Sequence, residues 1–324
     1  MPRPIMLPLL TWILWQRPAW RLPLLGIAVV VVLTALPTGY LASWIGSLLS
    51  SGRTVDNGVP KEVRHMTPGE NGGTVKEHVD AGGVRTYYEA EGNGDPMLML
   101  HGGLCAIETF GGLREQLTQH YRVYLPERRG TGRTPDVDGP YHYEEMAQDT
   151  IAFMQAIGLT SCHVLGFSDG ANVGMIMALR HPELVGTQVF IGGNINHDGD
   201  PPEAKGMLQL DAMPQEAIPP MLRDLYAAVS PDGGDHWDVV LDKTWKMIQT
   251  EPTMSLDDLR RVSTPTLMLF GEQDFVTAEY AAEMQAALPN STLIIVPGAS
   301  HGLPMELPDV VARHVVDFLA GAST

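Results

Sequence analysis

The chain has 324 residues, 44% of them hydrophobic and 18% charged, which supplies a sizeable core that one α/β domain can largely absorb. Lysine and arginine total 21 against 38 aspartates and glutamates, a formal net charge of -17. Such a surface repels nucleic acid phosphates and anionic headgroups, so no nucleic acid partner is expected. The two cysteines, Cys105 and Cys162, sit in no zinc-type spacing, and no cofactor or metal motif occurs.

Residues 1–50 read as a separate hydrophobic segment. No charge falls between Leu22 and Gly52, a run longer than the roughly 20 residues that cross a bilayer as a helix. Pro23 lies where a helix tolerates proline, Pro37 would kink or end the span, and Trp20, Tyr40 and Trp44 suit interfacial positions. The rival is a cleaved signal peptide flanked by Arg17 and Arg21, but Tyr40-Leu41-Ala42 is a poor cleavage site. The expectation is an anchor in the membrane with the remaining chain extracytoplasmic, secretion after cleavage being the alternative. Residues 51–73 are polar and aperiodic, a linker.

Strands and helices then alternate. "VRTYYEAEG", "PMLMLHGG" and "YRVYLPERRG" carry strand signals, and "YHYEEMAQDTIAFMQAIG" has helical spacing that stops at Gly158. "CHVLGF" (strand), "ANVGMIMALRHPELV" (helix) and "GTQVFIGG" (strand) follow. Later come the strands "TPTLMLFGEQD" and "STLIIVPGASHG", with the helix "TAEYAAEMQAALP" between them, and a last helix "DVVARHVVDFLA". This alternation predicts an α/β class with a mostly parallel sheet flanked by helices, over 74–193 and 263–324. Residues 194–262 contain helical pieces, "PPMLRDLYAAV" and "HWDVVLDKTWKMIQT", but no buried strand. They are expected to form a helical cap on the carboxyl edge of the sheet.

Gly166-Phe167-Ser168-Asp169-Gly170 is a G-x-S-x-G match. Its context, an apolar run before and a helical pattern after, is that of a nucleophile elbow. The glycines relieve a turn too sharp for a Cβ, and the serine takes strained backbone. A serine hydroxyl needs a base, and in this topology the order is serine, acid, histidine. Asp274 and His301 each follow a predicted parallel strand, with Glu272 the second candidate acid. His301 would take the serine proton and Asp274 would hold the imidazole. The oxyanion hole draws on the amides of Asp169 and Gly103, with Leu104 the alternative to Gly103. Leu104 is also a candidate to touch substrate. His101 reads as an anchor of this loop. "INHDGD" reads as a solvated loop, and "RRGTGRT" as a turn that lacks the lysine of a phosphate loop. Cys162 starts a strand and Cys105 follows the carboxyl end of its neighbour. About 17 Å of strand lies between, against the roughly 7 Å a disulfide spans, so no bridge is expected.

With "HGG", "ERRGTGRT", "GFSDG", "GEQD" and "GASH" in this order, the chain from about Val84 to Ala322 resembles the α/β-hydrolase superfamily of serine hydrolases. "GFSDGANVGMIMALRHPELV" and "FIGGN" are similar to its biphenyl-hydrolase-like branch, which includes valacyclovir hydrolase. The resemblance implies esterase-type chemistry on a small ester-like substrate. It also implies that the acid after the nucleophile, here Asp169, holds a substrate amine; an acid in the first turn of a helix is the simpler account. Serine at 168 argues against the aspartate nucleophile of epoxide and haloalkane hydrolases. Lactonase, carbon–carbon hydrolase and perhydrolase chemistry keep the same triad and stay open. So does a non-catalytic protein that binds a ligand or partner under the cap.

Overall fold

The structure is a computed structural model and describes residues 73–215 and 218–322. It opens with a hairpin, β1 (Val75–Ala81) and β2 (Val84–Glu91). The joint, Gly82 and Gly83, has φ of 59° and 91°, the left-handed pair that a two-residue hairpin turn demands. Then come β3 (Pro96–Leu100), β4 (Arg122–Pro126), β5 (Cys162–Phe167), β6 (Val185–Ile191), β7 (Thr266–Gln273) and β8 (Ser291–Ser300). All eight form one sheet in the order β1-β2-β4-β3-β5-β6-β7-β8. β2 pairs antiparallel with β1 and β4, and every other neighbouring pair is parallel.

Alternation along the strands divides the core. Met97, Met99, Leu165, Phe167, Val189, Ile191, Leu267 and Leu269 share a cluster with residues of α1 (Gly111–Leu117) and α10 (Pro308–Ala322). The residues between them point to the opposite face, and Leu98, Leu100, Val164, Phe190 and Met268 are fully buried there. On that face lie α2 (Tyr143–Ala156) and α3 (Asp169–Arg180), with α3 packed on β5 and β6. Burial on both faces is why these strands read as unbroken apolar runs. α8 (Ala278–Ala287) links β7 to β8, and α9 (Leu303–Glu306) precedes α10.

The stretch between β6 and β7 holds α4 (Pro202–Met207), α5 (Pro220–Val229), α6 (Trp237–Thr250) and α7 (Leu256–Leu259), with no strand among the described residues. Two carboxylates tie it to the loop before α2. Asp136 accepts from His236 at 2.9 Å, from Lys243 at 2.7 Å and from the Tyr141 hydroxyl. Glu251, just after α6, accepts from the Tyr143 amide at 2.9 Å and from His142.

Among the elements without a sequence signal, β1 and α1 each have a physical reason. β1 exposes Lys76, Glu77, His78 and Asp80 as an edge strand, so it has no apolar period. α1 opens with Gly111 and Gly112, which weaken any helical pattern. The predicted anchor in 1–50 and the linker, up to residue 72, lie outside the described residues. No described helix is long and apolar enough to cross a membrane.

The sheet positions everything through one close approach. The order reverses at β3, with β4 on one side and β5 on the other, and such a switch point opens a crevice at the carboxyl ends. α3 begins under that crevice, where a Cβ on Gly170 would stand 2.0 Å from the Leu100 carbonyl oxygen. Gly170→Ala is therefore expected to cost about 1–3 kcal/mol or more, as overpacking against backbone does. A urea titration reads this, and an unchanged midpoint would show that α3 is free to move off β3.

Candidate active site

Ser168 fills the single residue between β5 and α3. Its backbone has φ 54° and ψ -120°, a strained setting for a residue with a Cβ. Only Leu104 shares a positive φ among the described non-glycine residues. The surroundings hold this conformation. The Ser168 amide donates to the Ile191 carbonyl at 2.8 Å. A Cβ on Gly166 would lie 2.3 Å from the Gly170 carbonyl oxygen. The turn therefore closes only with glycine at both positions.

Asp274 directly follows β7 and His301 directly follows β8. The three predicted residues meet at the carboxyl edge. His301 Nε2 lies 3.0 Å from Ser168 Oγ, and its Nδ1 lies 2.7 Å from Asp274 Oδ1. A carboxylate only accepts, so Nδ1 carries the proton and Nε2 is left to accept from the serine hydroxyl. The Asp274 side chain is 1% exposed and that of His301 21%: the carboxylate is sealed, and the imidazole keeps part of its surface open. Phe275 donates its amide to Asp274 and sets its ring 4.7 Å from the imidazole of His301, with Phe167 at 5.2 Å. Burial opposes a charge on His301, but the charge and hydrogen bond of Asp274 outweigh it, and the pKa is raised. Glu272 is exposed and accepts from the Gly298 amide at 2.9 Å; it makes no contact with His301.

The loop after β3 brings in the fourth side of the site. His101 is fully buried. Its Nδ1 donates to the Gly102 carbonyl at 2.9 Å, and its Nε2 accepts from the Arg128 amide at 3.3 Å. Burial first, then the charge of Arg128, push its pKa well down and keep it neutral. Gly103 packs on the residue after the serine: a Cβ there would stand 2.5 Å from Asp169 Oδ2. Leu104, half-buried, makes the turn with φ 58°. Asp169 is 6% exposed, and its Oδ1 accepts from the Tyr143 hydroxyl at 2.8 Å.

A profile of the alpha/beta hydrolase family matches residues 97–314. The chain belongs to this family. It is 27% identical over 268 residues to the 2-hydroxy-6-oxo-6-(2'-aminophenyl)hexa-2,4-dienoic acid hydrolase of Metapseudomonas resinovorans, covering 76% of this chain and 91% of the relative. It is 28% identical over 254 residues to the serine hydrolase BPHL of Homo sapiens, covering 74% and 85%. The similarity to the biphenyl-hydrolase-like branch is thus borne out. Among solved structures, a serine hydrolase involved in carbazole degradation, the CarC enzyme, superposes with a TM-score of 0.64 at 25% identity, covering 76% of this chain and 99% of that one.

In this family setting the site has a base facing a hydroxyl, a buried acid behind the base and two amides, of Gly103 and Asp169, that enter no backbone hydrogen bond among the described residues. Sequence reasoning missed Tyr143 and Arg128. "YHY" carries no sign that a phenol reaches Asp169 across 26 positions. Arg128 looked like part of a surface turn, yet it is 7% exposed and donates to the His101 and Gly102 carbonyls. Elsewhere, His197 pairs with Asp200 at 2.7 Å, and no group of three or more metal-ligating side chains occurs among the described residues. Cys105 and Cys162 are buried free thiols.

The His301 geometry predicts its titration. By proton NMR its midpoint should lie above the ordinary 6.5, and Asp274→Asn should bring it down. A raised folded-state pKa stabilises the fold most below the ordinary value, and that stability is lost as pH rises through the folded pKa. A His301 midpoint at or below 6.5 in the unsubstituted protein would contradict the pairing.

Proposed function

We propose that the protein is a serine hydrolase that cleaves a small ester through an acyl-enzyme on Ser168. The observation that carries this reading is the unbroken hydrogen-bond chain from Ser168 Oγ through His301 to the buried Asp274. In the proposed first step His301 Nε2 takes the serine proton as Oγ attacks the ester carbonyl. The tetrahedral oxyanion is held by the amides of Gly103 and Asp169. It collapses when His301 returns the proton to the departing alkoxide, which leaves as the alcohol. Water then attacks the acyl-enzyme by the same route and releases the acid. Residues 194–262 act as the cap that shapes the pocket. Met207, Met213 and Met221, all part-exposed, give this segment adaptable apolar surface, and Met247 packs inside it.

A second reading is carbon–carbon bond hydrolysis with the same triad. It is favoured by the 27% identity to a relative named as a hydrolase of an oxo-hexadienoic acid. Asp169 bears on substrate class. Its carboxylate is already bonded to Tyr143 and pressed against Gly103. We therefore assign it to the frame of the site, and a neutral ester rather than an aminoacyl ester to the pocket.

A fluorophosphonate probe should label the unsubstituted protein and leave Ser168→Ala unlabelled. Removing the hydroxyl should lower ester turnover by about four orders of magnitude or more, since triad members act as a unit. Labelling of neither protein would leave a non-catalytic binding protein as the surviving account, and equal labelling of both would move the reactive nucleophile away from Ser168. The relative's dienoic acid, offered beside p-nitrophenyl esters, separates the two chemistries. Aminoacyl and plain acyl esters with one leaving group should turn over within about tenfold of each other, the range a single non-selective pocket contact gives. A preference of about a thousandfold for the amine, abolished by Asp169→Asn, would return Asp169 to the role of substrate ligand.

A further inference from the structure

Arg128 has no role in the chemistry just described, and its setting is unusual. The side chain is 7% exposed, yet its guanidinium hydrogen bonds go to two carbonyl oxygens, those of His101 and, at 2.8 Å, Gly102. Its Nε is buried without a partner. A buried cation with an unmet donor costs stability, so stability alone is a poor account of it. Burial works against its charge, and the charge of Asp169 works for it.

The two carbonyls belong to the loop after β3. The Gly102 carbonyl is half of the peptide whose other half is the Gly103 N–H. That carbonyl accepts three bonds: from Arg128 Nη2 at 2.8 Å, from His101 Nδ1 at 2.9 Å and from the Cys105 amide at 3.3 Å. Donors on the oxygen of an amide draw electron density from its nitrogen and strengthen its N–H as a donor; each such bond polarises the next in a low-dielectric interior. Of these three donors only Arg128 carries a full charge, His101 being held neutral. Fixing the carbonyl also fixes the plane of the peptide, and so the direction of the Gly103 N–H.

We propose that Arg128 is a positioning residue for the oxyanion hole: through the Gly102 carbonyl it orients and polarises the Gly103 amide that meets the developing oxyanion. This inference rests on the serine hydrolase reading above. The effect belongs to the tetrahedral state, because only there does the substrate oxygen carry the charge that the polarised amide stabilises. Ground-state binding should scarcely register it.

The test compares Arg128→Gln and Arg128→Lys with the unsubstituted protein on p-nitrophenyl acetate and with an alkylboronic acid, which forms a tetrahedral adduct on serine. Loss of one oxyanion donor costs about a hundredfold or more in kcat, so weakening one should lower kcat in Arg128→Gln by about thirtyfold with KM within about threefold. Boronate affinity should fall in parallel with kcat. Arg128→Lys, which keeps the charge but cannot span both carbonyls, should recover only part of the loss and keep a smaller parallel deficit in both. A merely structural arginine would lower the melting temperature and leave kcat and boronate affinity in the folded fraction unchanged, which overturns the proposal. If Arg128→Gln does not fold, Arg128→Lys decides: its single ammonium cannot span both carbonyls, so unchanged kcat and boronate affinity overturn the inference, and parallel losses support it. An unsubstituted protein that neither hydrolyses esters nor takes the fluorophosphonate removes the serine hydrolase reading and this inference together. An active one with an unimpaired Arg128→Gln removes only the inference.

Discussion

The site depends on how closely α3 lies beneath the sheet. With 2.0 Å between the Leu100 carbonyl oxygen and a Cβ at Gly170, no methyl group separates helix from strand. The chain must therefore pass from β5 to α3 in one residue, and that residue is forced to positive φ. A serine in that position projects its hydroxyl away from both elements. The next amide, at Asp169, opens the helix and lies at the positive end of its dipole. The same contact brings the loop after β3 alongside the elbow. A Cβ on Gly102 would meet the Phe167 ring at 3.1 Å and the Ser168 Cβ at 3.4 Å. Ser168, the helix terminus and the loop after β3 are thus set by one packing constraint.

The loop after β4 locks that arrangement with three arginines directed to three neighbours. Arg128 turns inward to the carbonyls after β3. Arg129 grips Asp149 of α2 through two bonds at 2.7 and 2.9 Å and Glu145 at 2.6 Å. Arg133 binds the fully buried Glu127 at 2.7 Å and also Glu108. Gly132 passes so near the Glu127 carboxylate that a Cβ would lie 2.1 Å from it. Planar guanidinium forks suit such multidentate fastening, where an ammonium would make point contacts. The segment thereby joins α2, Glu108 and the loop after β3.

Much of this was legible in the sequence because the fold writes the candidate site in local patterns. Apolar runs that end in glycine or in a polar residue marked β3, β5, β7 and β8, and the residues just beyond them proved to be Gly103, Ser168, Asp274 and His301. The choice of Asp274 over Glu272 was less so. The two residues sit two positions apart, and the structure places Glu272 inside β7, beside the irregularity of the β7–β8 register between Gly271 and Gln273, with Asp274 just past the strand's end. Arg128 and Tyr143 were illegible for a physical reason. Their partners lie 26 positions away along the chain, and a buried arginine inside a run of arginines has the same sequence signature as a solvated one. β1 hid for the opposite reason: an edge strand faces water, so it keeps no apolar period.

Asp169 is the residue in which these constraints meet. A carboxylate beside an oxyanion hole is unfavourable in isolation, since its charge repels the negative charge that builds on the substrate. Here it is buried, bonded to Tyr143 and opposed by the buried cation of Arg128. Arg128 bonds the Gly102 carbonyl on one side of the Gly102–Gly103 peptide, and the Asp169 carboxylate lies against Gly103 on the other. In the proposed mechanism the neighbouring cation offsets a carboxylate charge that would otherwise oppose the oxyanion. Recruiting that carboxylate to a substrate amine would draw it away from Tyr143. The role proposed for the aspartate after the serine is therefore divided: its amide faces the substrate, and its carboxylate belongs to the frame that Tyr143 holds.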